Sequence, residues 1–164
     1  PTISLLPLVV EQVDIPVIAA GGFATGRGLL AALAMGAEGV QMGTRFLASE
    51  ESRAHPNWKQ VLVDAGDSAT GIALRNSSPT RMVRNQFFAE MDALDEPGKK
   101  AMDFMPIMGE GSSRIPDDLD GSQGNYTAGT GCGLIREVKP AASIVEDIIA
   151  EAEQCMNSLR AAFD

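Results

Sequence analysis

Two short runs that end in glycine, separated by one helical segment, constrain the fold of this 164-residue chain more than any other feature. Residues 16–20 are followed by Gly21-Gly22, and residues 39–42 are followed by Gly43-Thr44. A run with little polar alternation is typical of a strand buried on both faces of a parallel sheet. Parallel neighbours need a crossover, which is usually a helix. The pattern predicts an α/β fold in which the two strands are adjacent and parallel, with both glycine loops at the same end.

The crossover helix has both of its ends marked in the sequence. Thr25 has the side-chain oxygen that caps a helix N-terminus, and Gly36 offers the left-handed conformation that ends a helix. We expect the helix to run to about Met35 and to direct three leucines inward: Leu29, Leu30 and Leu33.

Apolar periodicity predicts two further helices, one at each end of the chain. The first covers residues 3–13, with Pro7 in its first turn, where a missing N–H matters little. Its apolar face consists of Leu5, Leu6, Val9, Val10 and Val13. The last helix opens at Lys139-Pro140 and continues to residue 163. Its apolar face consists of Ile144, Val145, Ile148, Ala152, Met156, Leu159 and Phe163.

The middle of the chain is less regular, and Gly66 and Pro97-Gly98 interrupt it. Residues 109–133 contain seven glycines without helical periodicity, which is typical of a functional or mobile loop. In chain order we predict a helix over 56–65, a strand or extended loop over 69–74, a helix from Ser78-Pro79 to about Leu94, a short helix over 100–108 and a loop over 109–133.

Composition excludes several classes of partner. The net charge of −9 gives the chain no general electrostatic reason to bind nucleic acid or an anionic membrane. No apolar run approaches the roughly 20 residues that cross a bilayer. Cys132 and Cys155 form neither a disulfide framework nor a zinc motif, so we expect two buried thiols in a protein of the reducing cytoplasm. The acidic residues 117–120 lack the spacing of a calcium loop, so we expect a solvated loop and no metal site.

The two glycine loops are candidates for a phosphate site. Glycine lets backbone N–H groups approach an anion, and Thr44 adds a hydroxyl donor. The helix that begins near Gly26 would add its positive end. In a (β/α)₈ barrel the loops after the last two strands form the common phosphate site. The alternative is that these glycines only make tight turns.

Several stretches resemble the flavin-binding end of the nitronate monooxygenases, formerly called 2-nitropropane dioxygenases. They are residues 15–22, 32–37, 39–47, 131–135 and 139–141, and the likeness extends over nearly the whole chain. The flavin-type enoyl-acyl-carrier-protein reductases share these motifs, whereas inosine monophosphate dehydrogenases share only the first phosphate loop.

The resemblance implies an α/β fold that is the C-terminal portion of an FMN-binding (β/α)₈ TIM barrel with a helical lid insertion. Residues 1–44 would form the last strand–helix units, residues 45–136 the insertion over the active-site mouth, and residues 137–164 the helix that closes the barrel. The implied FMN-binding residues are Gly21, Gly22, Gln41, Met42, Gly43 and Thr44.

The resemblance also implies that the family's early strands and its catalytic histidine lie upstream of Pro1. The one histidine, His55, lies in an Ala54-His55 motif that does not match the catalytic position. We therefore expect no catalytic residue within this chain and a structural role for His55, the alternative being a role at the edge of the site.

Four other residues have two interpretations each. Lys59 and Arg81 would either reach substrate or phosphate or form ion pairs on the surface. Tyr126 would either lie over a flavin or have only a structural role in the glycine-rich loop. Cys132 fits a small packing residue better than a nucleophile, since the sequence offers no nearby base.

The implied function is FMN-dependent oxidation of alkyl nitronates with O₂. The alternative enzyme is an FMN- and NADH-dependent enoyl-acyl-carrier-protein reductase, with an enoyl thioester as substrate. A third hypothesis is a non-catalytic half-barrel, or a subunit that completes a partner. The expected partners are a small-molecule substrate, O₂, and either a second copy of the chain or an N-terminal barrel half.

Overall fold

The secondary structure follows an α/β order, and a computed structural model describes it for residues 2–106 and 124–163. The elements are α1 (Thr2–Val10), β1 (Ile18–Ala20), α2 (Gly26–Ala34), β2 (Gly39–Gln41), α3 (Thr44–Leu47), α4 (Pro56–Asp64), β3 (Thr70–Ala73), β4 (Thr80–Val83), α5 (Gln86–Leu94), a 3₁₀ helix (Thr130–Leu134) and α6 (Ala141–Phe163). Residues 101–106 are also helical. The acidic residues 117–120 and most of the predicted glycine-rich loop lie outside the described residues.

The predicted parallel pair is confirmed. Strand β1 pairs with β2 in parallel, with Ile18 opposite Gly39 and Ala20 opposite Gln41. Both strands are shorter than predicted, because each contains only three residues. A parallel register with a helical crossover directs the C-terminal ends of both strands the same way. The loops after Ala20 and Gln41 therefore lie side by side.

Helix α2 has the predicted ends. The Thr25 side-chain oxygen accepts a hydrogen bond of 3.2 Å from the backbone N–H of Gly28. Gly36 has φ +91°, as a left-handed helix end requires. The prediction of its inward face was only partly correct, because Leu33 is 44 % exposed whereas Ala32 is fully buried. Alanine on this face lets α2 lie close to the strands.

The two terminal helices have narrower buried faces than predicted. Helix α1 ends at Val10, Pro7 lies beyond its first turn, and its one buried residue is Leu6. In α6 only Ile144 is fully buried, and three residues predicted to face inward are exposed: Val145, Leu159 and Phe163. Helix α6 lies on α2, which has nine residues against its 23. At 1.5 Å per residue, α2 covers about 14 Å of a helix about 35 Å long.

Helices α2 and α6 are in close contact at Gly26, and Gly26→Ala is expected to destabilise the protein by about 3 kcal/mol. A Cβ at this position would lie 2.2 Å from the carbonyl oxygen of Ile148 and 2.5 Å from the backbone nitrogen of Ala152. Both atoms are backbone, so α6 would have to move. Urea unfolding of Gly26→Ala and of the unmodified protein measures the effect.

The control is Gly66→Ala, because a Cβ at Gly66 meets nothing within 4 Å. This variant should change the unfolding free energy by less than about 1 kcal/mol. Equal effects of the two substitutions would contradict close packing of α6 on α2.

The helix predicted from Ser78 to Leu94 was wrong in its first half. Residues 80–83 form β4, which pairs antiparallel with β3, so the segment predicted as a strand or extended loop is a strand. Helix α5 begins only at Gln86, where the Asn85 side-chain oxygen accepts from the N–H of Phe88 at 2.9 Å. The Val83 N–H donates to the Tyr126 carbonyl at 2.8 Å, which holds β4 between two extended segments. This pairing favours a strand over the helix that Ser78-Pro79 suggests.

Within residues 2–106 and 124–163, buried side chains form three clusters. The cluster under β1, β2 and α2 consists of Leu6, Ala19, Ala32 and Ala37. The hairpin and α5 enclose a second, which includes Met82, Phe88 and Phe104. The third lies between α4 and the segment after residue 124 and includes Leu62, Tyr126 and Ile135. This segment is more regular than the predicted loop, because Thr127 bridges to Met82 and residues 130–134 form the 3₁₀ helix.

No helix within residues 2–106 and 124–163 is long and apolar enough to cross a membrane. Both cysteines are free thiols; Cys132 is buried as predicted, whereas Cys155 on α6 is only half-buried.

Candidate functional site

A cleft of about 240 Å³ opens at the C-terminal ends of β1 and β2. Five of the six residues predicted to bind FMN line it: Gly21, Gly22, Gln41, Gly43 and Thr44. Met42 is not among the lining residues. The other walls come from Ala20, Phe23, Gly129 and Gly131. The structure therefore brings both glycine loops to one concave site.

The glycines of the two loops have different reasons to be glycine. Gly21 and Gly22 have φ of +93° and +86°, a conformation that L-residues rarely adopt. Gly43 has an ordinary φ of −84°, and a Cβ built on it meets nothing within 4 Å. Backbone strain therefore does not require glycine at position 43. A side chain there would instead occupy space that the cleft leaves open.

Backbone donors at the cleft have no partner within the described residues. None of these residues accepts a hydrogen bond from the N–H of Gly22, Gly43 or Thr44. Thr44 is the first residue of α3, and first-turn N–H groups have no acceptor inside their own helix. Three backbone donors and one hydroxyl at adjacent loops match the chemistry of phosphate oxygens.

A third segment, which sequence reasoning did not assign to the site, closes this cleft. The Gly129 N–H donates to the Thr44 side-chain oxygen at 2.9 Å across 85 residues of sequence. A Cβ on Gly131 would lie 3.3 Å from the carbonyl oxygen of Gly22. Two signals pointed to this segment: the density of glycine after residue 108, since close backbone approach requires residues without side chains, and the family resemblance of residues 131–135.

The N-terminus of α2 is not available to a ligand in the way that was predicted. The Gly26 N–H donates to a carboxylate oxygen of Glu151 at 2.7 Å, and Arg27 forms an ion pair of 3.3 Å with the same carboxylate. A carboxylate from α6 therefore satisfies the positive end of α2. The unpartnered N–H groups at the cleft therefore belong to the two glycine loops and the start of α3.

A second, charged cleft of about 180 Å³ lies beside α6, and its lining includes Arg45, Arg136 and Lys139. Arg45 is buried, and its guanidinium donates to the Glu137 carbonyl at 3.1 and 3.2 Å. Burial lowers the pKa of Arg45, while the nearby carboxylates of Glu137 and Asp147 oppose the change. Because Arg45 follows Thr44, this bond ties the Thr44 loop to the segment before α6.

Lys139 is the centre of an ion-pair network in that segment. Its ammonium group lies 2.5 Å from a carboxylate oxygen of Asp147 and 2.7 Å from one of Glu137. The hydrogen bond to Asp147, followed by that to Glu137, raises the pKa of Lys139. Protonated Lys139 therefore favours the folded state until the pH rises through this raised pKa.

His55 has the structural role that was predicted. It is the N-cap of α4, and its Nδ1 accepts a hydrogen bond of 3.2 Å from the Asn57 N–H. It does not line the cleft at the glycine loops.

We expect His55→Ala to lower the unfolding free energy by about 1 kcal/mol, because the substitution removes the cap acceptor. His55→Asn should retain most of the stability, since asparagine is a favourable cap. FMN affinity should change in neither variant. A loss of FMN affinity in His55→Ala that His55→Asn does not restore would instead assign His55 to the site.

The other residues with two interpretations are engaged within the protein. Lys59 donates to the Glu50 carbonyl at 3.1 Å, and Arg81 donates to the Thr70 hydroxyl at 3.0 Å. Tyr126 is fully buried, with its ring 6.0 Å from that of Trp58, so it does not lie over the cleft. Burial raises the pKa of Cys132, which fits a packing residue rather than a nucleophile.

The family model described as nitronate monooxygenase matches residues 1–151. A probable nitronate monooxygenase from Staphylococcus saprophyticus is 33 % identical over 162 residues, which are 95 % of this chain and 44 % of that protein. One from Staphylococcus aureus is 46 % identical over 91 residues, 55 % of this chain and 26 % of that protein. The chain thus spans less than half the length of these curated relatives.

Two solved structures cover nearly all of the chain. FabK from Thermotoga maritima has a TM-score of 0.88 and 38 % identity, covering 98 % of this chain and 51 % of its own. The nitroalkane oxidase from Streptomyces ansochromogenes has a TM-score of 0.82 and 33 % identity. The match covers 96 % of this chain and 45 % of the oxidase. Both are TIM-barrel flavoenzymes, which agrees with the α/β order seen here.

Proposed function

Because this chain belongs to the nitronate monooxygenase family, we propose that it carries the phosphate-binding end of an FMN-dependent enzyme that oxidises alkyl nitronates with O₂. The likeness to nitroalkane oxidase, whose name denotes oxidation of a nitro compound, supports this substrate class. The family supplies the reaction type, and the cleft supplies the residues that would hold the cofactor.

The observation that carries the proposal is the set of unpartnered donors at the cleft. Gly22, Gly43 and Thr44 line one cleft, and their three N–H groups have no acceptor among the described residues. The Thr44 hydroxyl belongs to the same cleft. The open space at Gly43 lets a phosphate approach the backbone. When bound, FMN would supply the electron-transfer chemistry, and these residues would anchor and orient it through its phosphate.

This chain matches less than half of each curated relative, so part of the active site would lie outside residues 1–164. We call this arrangement a divided site. We propose that the early barrel strands and the catalytic histidine lie outside these residues, since His55 is used as a helix cap. The apolar groove between α1 and β1 supports the same division, because it leaves Leu5 60 % and Ile18 56 % exposed, and no strand within residues 2–106 and 124–163 pairs with β1 other than β2. Another strand at the free side of β1 would cover them.

Oxygen consumption by the full-length protein tests the proposal. With FMN, the protein should consume O₂ when propionate 3-nitronate is added and should not require NADH. Nitronate-independent O₂ uptake is the background to subtract. A flavin-loaded protein that does not oxidise nitronates would contradict the proposed substrate class.

The second candidate is the FMN- and NADH-dependent enoyl-acyl-carrier-protein reductase. Its support is the set of sequence motifs that the flavin-type reductases share with this chain. NADH consumption that depends on an enoyl thioester, without nitronate turnover, would favour this candidate. FMN binding without either activity would favour a non-catalytic role.

A further inference from the structure

We propose that the segment Gly129–Gly131 is the third wall of the phosphate site, and that its Gly129 N–H turns the Thr44 hydroxyl proton toward the bound phosphate. This inference rests on the proposed FMN function. It makes Gly129 a positioning residue that acts through Thr44.

The wall is held close to both glycine loops. The Gly129 N–H and the Thr44 side-chain oxygen are 2.9 Å apart, and both residues line the cleft. On the other side, a Cβ built on Gly22 would lie 3.1 Å from the Thr130 hydroxyl oxygen. The segment therefore contacts the loop after β1 and the loop after β2 at once.

The β3–β4 hairpin holds the residues that precede the segment Gly129–Gly131. Ala128 donates its N–H to the Arg81 carbonyl at 3.3 Å, and Thr127 bridges to Met82 on β4. Ala128 and Gly131 are buried. Because hydrogen bonds hold the residues before Gly129 and Gly131 is buried beside Gly22, the Gly129 N–H is held at a defined position beside Thr44.

The direction of the Thr44 proton follows from hydroxyl chemistry. A hydroxyl has two acceptor lone pairs and one proton. Gly129 uses one lone pair, and the Thr44 hydroxyl donates to no acceptor among the described residues. A donor on one side of the oxygen disfavours the proton on that side, which leaves the proton directed to the cleft. Phosphate oxygens are acceptors, so this orientation suits a phosphate.

The test compares FMN with riboflavin, which lacks the phosphate, on the full-length apoprotein by fluorescence titration. Thr44→Val should weaken FMN binding by about 10- to 100-fold, as expected for a hydrogen bond to a charged group. Riboflavin affinity should change by less than about two-fold, within the small effect of an isosteric change. Thr44→Ser keeps the hydroxyl and should restore most of the FMN affinity.

Gly129 is tested by removal of its N–H. Its φ of −79° is allowed for proline. The ring carbon would replace the N–H that faces the Thr44 oxygen at 2.9 Å, so Gly129→Pro removes the donor and displaces the Thr44 side chain. This variant should reproduce the selective loss of FMN affinity. It should add little to the loss in the Thr44→Ala background, where the shortened side chain leaves room for the ring. Gly129→Ala retains the N–H, and its Cβ would lie 3.4 Å from the Thr44 oxygen, so it should lose less FMN affinity than Gly129→Pro.

Equal losses of FMN and riboflavin in Thr44→Val would overturn the inference, because the hydroxyl would then act through the fold. Normal FMN selectivity in Gly129→Pro would overturn the role of Gly129. If Gly129→Pro does not fold, the Thr44 pair decides by itself. Failure of the unmodified protein to bind FMN would overturn the proposed function as well, which distinguishes the two failures.

Discussion

Gly43→Asp in the full-length protein is expected to abolish retention of FMN during purification. The new carboxylate would occupy the open space beside the Gly43 backbone, next to the phosphate. Two like charges about 4 Å apart repel by about 4 kcal/mol at an effective dielectric constant of 20. This corresponds to a loss of affinity of about 1,000-fold. Flavin absorbance of the purified variant, relative to protein concentration, measures the result.

Two control variants separate the effect of the new negative charge from the effect of side-chain volume and from that of a carboxylate added elsewhere in the protein. Gly43→Asn has nearly the same size without the charge, and it should retain more FMN than Gly43→Asp. Gly66→Asp places the same carboxylate at an exposed glycine away from the cleft, and it should retain FMN normally. Normal flavin content in Gly43→Asp would remove the loop after β2 from the cofactor site.

Residues 1–164 produced alone are expected to show no nitronate-dependent O₂ uptake. We propose that the catalytic histidine lies outside these residues, and loss of a general acid or base alone lowers a rate by 10²- to 10⁴-fold. The free side of β1 adds a second reason, because an exposed strand edge with apolar neighbours promotes association. An oxygen electrode with FMN and propionate 3-nitronate measures the rate.

Activity should return when the proposed N-terminal half of the barrel is added as a separate chain. The full-length protein should also be active. The full-length protein measured at the same flavin content is the control. Turnover by residues 1–164 near that of the full-length protein would place the catalytic machinery within this chain and contradict the divided site.

The cleft at the strand ends was predictable because its signals are local. Glycine after a short strand identifies a loop whose backbone a ligand or another segment can approach closely. Thr25 and Gly36 identify the ends of the crossover helix. Together these fix the parallel pairing of β1 with β2 and place Gly22 near Gly43.

The elements that sequence reasoning missed depend on contacts between distant residues. Strand β4 is stabilised by hydrogen bonds to β3 and to Tyr126, whereas Ser78-Pro79 locally resembles a helix start. Tertiary pairing of this kind overrides local propensity. The Gly129 contact with Thr44 spans 85 residues, so no local pattern reports it. Glu151 likewise reaches Gly26 only because α6 lies on α2.

A crystal structure of the full-length protein with FMN tests the central claim most directly, because it locates the phosphate. The account predicts phosphate oxygens within about 2.7–3.2 Å of the backbone nitrogens of Gly22, Gly43 and Thr44. A phosphate bound instead in the charged cleft, among Arg45, Arg136 and Lys139, would contradict it.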